Sequence, residues 1–257
     1  MDLQQQIQTM SFTIQNILED MPVSIYLYGS ITMDDFQYGW SDIDLLGLTS
    51  NSISQEHAQS LVDLRQELVE QYRDPVYRLF EGGILSLQSF LNGMPDTVVY
   101  WGTSGQQITD TYILDSFGRY EIKTTGVLIA GRDIRNMIIM PTDADMRKVV
   151  QFVYEKVRKH AVKTGESLYS CGWMLDIARC IYTLRTGSVI SKTKAGEWAL
   201  EQQLCPVPET LKKVLIVRTE PLKYKEDPEF KAWASSLGND VQKFADVLEQ
   251  ELGKVKV

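Results

Sequence analysis

The sequence is poor in histidine and cysteine, has no long apolar run and carries no surplus of positive charge, and each shortage removes a class of chemistry. Only two histidines, His57 and His160, occur in 257 residues, both in polar helical patterns. A His-activated nucleophile and a multi-histidine metal site are therefore set aside. Three cysteines (Cys171, Cys180 and Cys205) are odd in number and lack C-x-x-C spacing. Reduced buried thiols are expected rather than a disulfide framework or a zinc site. No apolar stretch approaches the ~18–20 residues that span a bilayer. The opening "MDLQQQIQTMSFTIQNILEDM" lacks the basic and apolar regions of a secretory signal. A cytoplasmic location with no membrane partner is the expectation. With 26 basic against 34 acidic residues the net charge is −8. That balance argues against a nucleic-acid binder and is compatible with a cationic small molecule. Chemistry must then rest on carboxylates, lysine, arginine and the backbone.

What is present is an ordinary globular composition, 44% hydrophobic and 23% charged, in a chain long enough for one large domain or two modest ones. An amphipathic helix is predicted at the N-terminus from Ile7, Met10, Ile14, Ile17 and Leu18. Strands follow at 23–29 and 41–49, a helix at 54–73, and a third strand at 76–87. Gly82-Gly83 in that third strand suggests a bulge or a close backbone approach. Residues 92–110 read as turn-rich around the apolar "VVYW", and 125–134 as a further short strand. Beyond Pro141 the texture becomes helical, with helices at 144–164, 167–186, 191–204, 208–217 and a long last one at 228–254. The boundary is placed between domains 1–140 and 141–257.

The stretch "YLYGSITMDDFQYGWSDIDLLGL" carries the strongest chemical signal. Alternation along a strand puts Asp42 and Asp44 on one face, with Cα atoms roughly 6.5–7 Å apart. Carboxylates held so close repel unless a proton or cation sits between them, and Mg²⁺ with phosphate oxygens is a natural occupant. Gly29 allows a phosphate to approach the backbone, and amides with the Ser30 hydroxyl can donate to it. A lone D-x-D also fits a solvated strand end, so the specificity lies in strand, Gly-Ser, eleven residues, D-x-D, strand. Glu81 is the candidate third acid, as a metal ligand or as a base for an attacking hydroxyl; an exposed strand glutamate is the other reading. Asp34 and Asp35 read as solvated loop acids.

These residues resemble the nucleotidyltransferase superfamily with the polymerase-β-like fold. The segment "ARCIYTLRTGSVISKTKAGEWALEQQL" and the run "TTGVLIAGRDI" further resemble the adenylyltransferases that modify streptomycin and spectinomycin. The resemblance implies an α+β protein. Its N-terminal nucleotidyltransferase domain would have a mixed sheet, its C-terminal domain would be an all-α helical bundle, and a substrate cleft would lie between them. It implies ATP as co-substrate with Mg²⁺, Gly29 and Ser30 on a phosphate, Asp42 and Asp44 on the metal, and Glu81 as the base. Lys192, or its neighbour Lys194, would reach the triphosphate. Trp101 and Tyr224 match acceptor or ligand contacts, or are core and hinge aromatics. The family places acids near the start of the helix at 167–186, where this chain has Tyr169, with Glu166 nearby but out of register. The implied activity is transfer of AMP from ATP to a hydroxyl of an aminoglycoside-like antibiotic, with release of pyrophosphate, by a monomer or weak dimer. The competing readings are adenylylation of another small molecule, such as a lincosamide, or of a protein, and a nucleotide-binding module without turnover.

Overall fold

The computed structural model describes residues 2–103 and 105–254. The chain divides into two units, Met1–Thr32 with Asp42–Met140, and Met33–Ser41 with Pro141–Val257.

The first unit opens with α1 (Leu3–Ile17), capped by Asp2 in a reciprocal arrangement with Gln5. The strands are β1 (Val23–Tyr28), β2 (Ile43–Thr49), β3 (Phe80–Ser86), β4 (Val98–Gly102), β5 (Gly105–Thr109) and β6 (Val127–Ala130). Between them lie α2 (Gln55–Tyr72), α3 (Leu87–Asn92) and α4 (Ser116–Thr124). The six strands form one sheet in the order β5-β4-β3-β2-β1-β6. It is mixed: β2 and β3 run parallel, while the other pairs are antiparallel. The parallel pair needs a crossover, and α2 supplies it. Every residue of β1 is buried, as expected for a central strand covered on both faces. Tyr26, Tyr28, Leu46 and Leu48 pack on one face with Phe90 of α3 and Ile122 of α4.

One segment of this unit departs from the sequence reading, and another settles an alternative that the sequence left open. The turn-rich 92–110 is a hairpin, β4 and β5, in which Val98 and Val99 are fully buried. Its polar second strand, "GQQIT", carries no apolar alternation that would mark it. The glycines of β3 resolve as a close approach and not a bulge, because the β2–β3 register is continuous. Gly82 has φ +134°, and a Cβ there would stand 1.9 Å from the Leu45 carbonyl oxygen.

The second unit holds α5 (Asp143–His160), α6 (Tyr169–Thr186), α7 (Lys192–Glu201), α8 (Pro208–Thr219), α9 (Pro221–Tyr224), α10 (Pro228–Ser235) and α11 (Gly238–Gly253). Thr142 and Asp145 close a capping box on α5, and Ser191 caps α7. The single helix expected at 228–254 is two, broken at Ser236–Leu237. A Cβ at Gly238 would stand 2.1 Å from the Val162 carbonyl oxygen, so the glycine that weakens the helix also permits this contact. All three cysteines are buried free thiols, and burial pushes the Cys171 thiol up to about 12 and Cys205 to about 11.

A further correction concerns Asp35, which is a core group and not a solvated loop acid. Its carboxylate lies 2.8 Å from Arg218 Nη2, and both side chains are nearly inaccessible. Arg218 also donates to the Asp35 carbonyl and, through Nε, to Thr193 Oγ1. The Thr193 hydroxyl and amide both donate to the Asp35 carboxylate, and Trp40 lies over the guanidinium at 5.3 Å. A sequence cannot reveal this, because the partners are separated by 183 positions. Removing one member of such a pair strands a buried charge. Asp35→Ala is therefore expected to cost about 3–5 kcal/mol in chemical denaturation, and a loss below about 1 kcal/mol would show that the pair does not hold this segment.

Candidate active site

The site begins at the end of β1. The antiparallel register places Tyr28 opposite Asp44, and the parallel register places Asp44 opposite Glu81. Paired residues on neighbouring strands project to the same face, so Asp44 and Glu81 stand side by side. Asp42 immediately precedes β2, and both aspartates and Glu81 are half-buried. Ile43, between the aspartates, is fully buried on the opposite side.

After Tyr28 the chain turns through Gly29 at φ +70°, opening a short 3-10 turn, Gly29–Thr32. A Cβ at Gly29 would lie 2.1 Å from Asp44 Oδ2. The Gly-Ser turn and the D-x-D pair, eleven residues apart in sequence, are thus in direct contact. Glycine is required twice here, for the positive φ and for the space the carboxylate occupies. Ser30 is half-buried beside it. Burial, reinforced by the charge of Asp44, pushes the Tyr28 hydroxyl well above its ordinary value. Tyr112 is raised chiefly by burial.

Glu81 accepts a 2.6 Å hydrogen bond from the Thr103 hydroxyl. Among the described residues no three acidic, histidine or cysteine side chains converge into a ready-made metal site. The three-carboxylate ligand set expected from the sequence is therefore not a preformed cage. The donors that fit Mg²⁺ are the Asp42 and Asp44 carboxylates, hard oxygen ligands few enough to leave room for phosphate oxygens.

Trp101 is corrected outright. It is 1% exposed, its indole nitrogen donates to the Leu61 carbonyl at 3.0 Å, and it pairs with Gly82 across β3–β4. Since it shares a face with Gly82, it points away from Glu81, the next residue along β3. No ligand can stack on it there. Arg65 of α2 lies over its ring at 5.9 Å. Burial pushes the Arg65 guanidinium below its ordinary value, opposed by the charges of Glu81, Tyr100 and Asp42.

In the helical unit, Lys192 is the first residue of α7, and its ammonium lies 3.0 Å from Asp176 of α6. Arg179, one turn along α6, lies 3.7 Å from the same carboxylate. Lys194 is exposed, which separates the two lysines that sequence left open: one is built into a charged cluster, the other faces solvent. Tyr169 begins α6, is exposed, and meets Trp173 edge-on at 5.2 Å. Although the side chain as a whole is exposed, its hydroxyl is raised above the ordinary value by local desolvation and then by the Asp176 charge. Glu166 is exposed before α6. Tyr224, in α9, is half-buried, 6.0 Å from the Phe230 ring. The sequence reading missed Asp176, Trp173, Arg65 and Thr103. The i, i+4, i+7 spacing of Tyr169, Trp173 and Asp176 places them along one helical face, but polar pairing between α6 and α7 has no local signature.

A Gly-Ser turn packed on a strand-borne carboxylate pair, with a third acid on the adjacent parallel strand, is the arrangement the sequence led us to expect. Residues 142–251, within the helical unit, match the family described as aminoglycoside adenylyltransferase, C-terminal domain. Among solved structures the chain is similar to a spectinomycin adenyltransferase, AAD(9), from Enterococcus faecialis, determined with ATP and spectinomycin. The TM-score is 0.64 over 98% of this chain and 100% of that one, at 17% identity. At that identity the likeness speaks for the two-part α+β fold. No curated protein matches the chain in sequence, and no helix among the described residues is long and apolar enough to cross a membrane.

Two glycine substitutions test the turn. Gly29→Ala forces Asp44 out of place and is expected to lower kcat/KM about 100-fold and to weaken Mg·ATP binding in a fluorescent-nucleotide titration. Gly93→Ala, at φ +65° with open space around it, is expected to cost about 1 kcal/mol of stability and to leave turnover intact.

Proposed function

We propose that the protein transfers AMP from ATP to a hydroxyl of a small cationic antibiotic of the spectinomycin or streptomycin type, releasing pyrophosphate, with Mg²⁺ held by Asp42 and Asp44. The observation that carries this reading is the packing of the Asp44 carboxylate against Gly29 with Glu81 opposite it in register. Phosphate seat, metal edge and base then lie on one short stretch of sheet. In support, the neighbouring fold belongs to an enzyme determined with ATP and spectinomycin, and the net charge of −8 favours a polycationic partner.

In this account Gly29 and Ser30 present amide and hydroxyl donors to a phosphate oxygen. Glu81 takes the proton of the acceptor hydroxyl as its oxygen attacks the α-phosphorus, and the bond to the departing pyrophosphate breaks. Bound Mg²⁺ supplies neutralisation of the triphosphate charge. Lys192 adds a point charge to the same task, and to do so its ammonium must exchange Asp176 for phosphate. Residues 1–140 are the nucleotidyltransferase domain, apart from the stretch 33–41, and 141–257 the acceptor-binding domain. Tyr169, Glu166 and Tyr224 remain the proposed acceptor or nucleotide contacts, with Asp176 the carboxylate nearest Tyr169 in charge terms. Three free thiols agree with a cytoplasmic setting.

Pyrophosphate release from Mg·ATP, measured with a panel of aminoglycosides, spectinomycin and a lincosamide, tests the activity. Release with an amine-rich acceptor is expected. Release with the lincosamide alone would move the assignment to another acceptor, and no release with any would favour a binding module. Glu81→Gln is expected to bind Mg·ATP and to lose at least about 100-fold in kcat, whereas Asp42→Asn and Asp44→Asn lose Mg-dependent nucleotide binding itself.

A further inference from the structure

Glu81 is the second residue of β3, half-buried, with Asp44 opposite it on β2. Its carboxylate has a defined orientation, because the Thr103 hydroxyl donates to Oε1 at 2.6 Å. Thr103 itself is exposed and follows directly after β4, so something must hold the end of β4 beside the start of β3. The hydrogen bonds show what does. Arg65 is 4% exposed. Its Nη1 donates to the Phe80 carbonyl at 2.7 Å and approaches the Arg78 carbonyl at 3.5 Å. Its Nη2 donates to the Gly102 carbonyl at 3.3 Å and to Gln106 Oε1 at 2.9 Å. One guanidinium thus grips the residue before Glu81 and the residue before Thr103. Four residues earlier in α2, Leu61 accepts from the Trp101 indole, pinning the same strand a second time. The buried aromatic that sequence placed against an acceptor is part of this anchor.

Resting on the proposed role of Glu81 as base, we propose that Thr103 is a positioning residue that aims the Glu81 carboxylate at the acceptor hydroxyl, and that Arg65 anchors it by clamping the carbonyls of Phe80 and Gly102. An arginine suits this because its planar fork reaches two acceptors at once, which a lysine ammonium on a flexible stem does not. A misaimed base lowers the rate of proton transfer without altering how ATP is held. The device therefore acts on kcat and spares nucleotide affinity.

Thr103→Val keeps the shape and removes the hydroxyl at an exposed position, so folding is not at stake. It is expected to lower kcat about 10-fold, leaving the Kd for Mg·ATP and the Tm unchanged, and Thr103→Ser restores the rate. Arg65→Lys is expected to lower kcat in the same direction at unchanged nucleotide affinity. Glu81→Gln, measured alongside, separates the two claims. If Glu81→Gln is inactive while Thr103→Val turns over at the parent rate, the positioning role is overturned and the base stands. If Glu81→Gln keeps the full rate, both the base and its positioning residue are overturned. A fall in Thr103→Val that Thr103→Ser does not restore, or that appears equally in ATP affinity, also contradicts the proposal.

Discussion

The packing of the Asp44 carboxylate into the space a side chain at Gly29 would fill is the constraint around which the acid-bearing strand ends are arranged. It brings an acid against the one place in the turn where no side chain fits. Two strand registers hold it there, Tyr28 opposite Asp44 and Asp44 opposite Glu81. A one-residue slip in either would turn an acid to the other face of the sheet. The fully buried β1 and the buried remainder of β2 make such a slip costly, since it would exchange the side chains packed on their two covered faces. The core of this unit therefore sets the geometry of its chemistry. Gathering acids at one strand end raises their mutual repulsion, which a proton or cation among them would relieve.

The local grammar of the site was readable in the sequence because its parts are local. Strand, Gly-Ser turn and D-x-D lie within 23 residues, and strand alternation alone puts the aspartates on one face. The three buried thiols and the division into a strand-bearing half and a helical half followed from composition and periodicity, while the mixed sheet was what the family resemblance implied. What escaped depended on pairing between distant segments. Trp101 looked like a platform for a ligand, and only the β3–β4 register shows it turned away from Glu81. Asp35 looked solvated beside Asp34, and only Arg218, far along the chain, shows it buried. The hairpin at 98–109 escaped because its second strand is polar, and the break at 236–237 because the apolar period continues on both sides of it.

The helical unit is organised by charge as well as by apolar packing. Asp35, Arg218 and Thr193 form a buried polar network with Trp40 over it. It fixes the first turn of α7, and Lys192 sits at the start of that turn. The segment it captures, 33–41, is the stretch between the Gly-Ser turn and the D-x-D pair. Asp176 completes the arrangement by holding the Lys192 ammonium in a defined place.

The central claim is chemical: the group moved is adenylyl. The most direct measurement is the mass of a spectinomycin or streptomycin acceptor after incubation with the protein and Mg·ATP. The account predicts a product heavier by one adenylyl group, formed together with pyrophosphate. A product carrying only a phosphoryl group with ADP released, or an acceptor left unmodified across the panel, would contradict it.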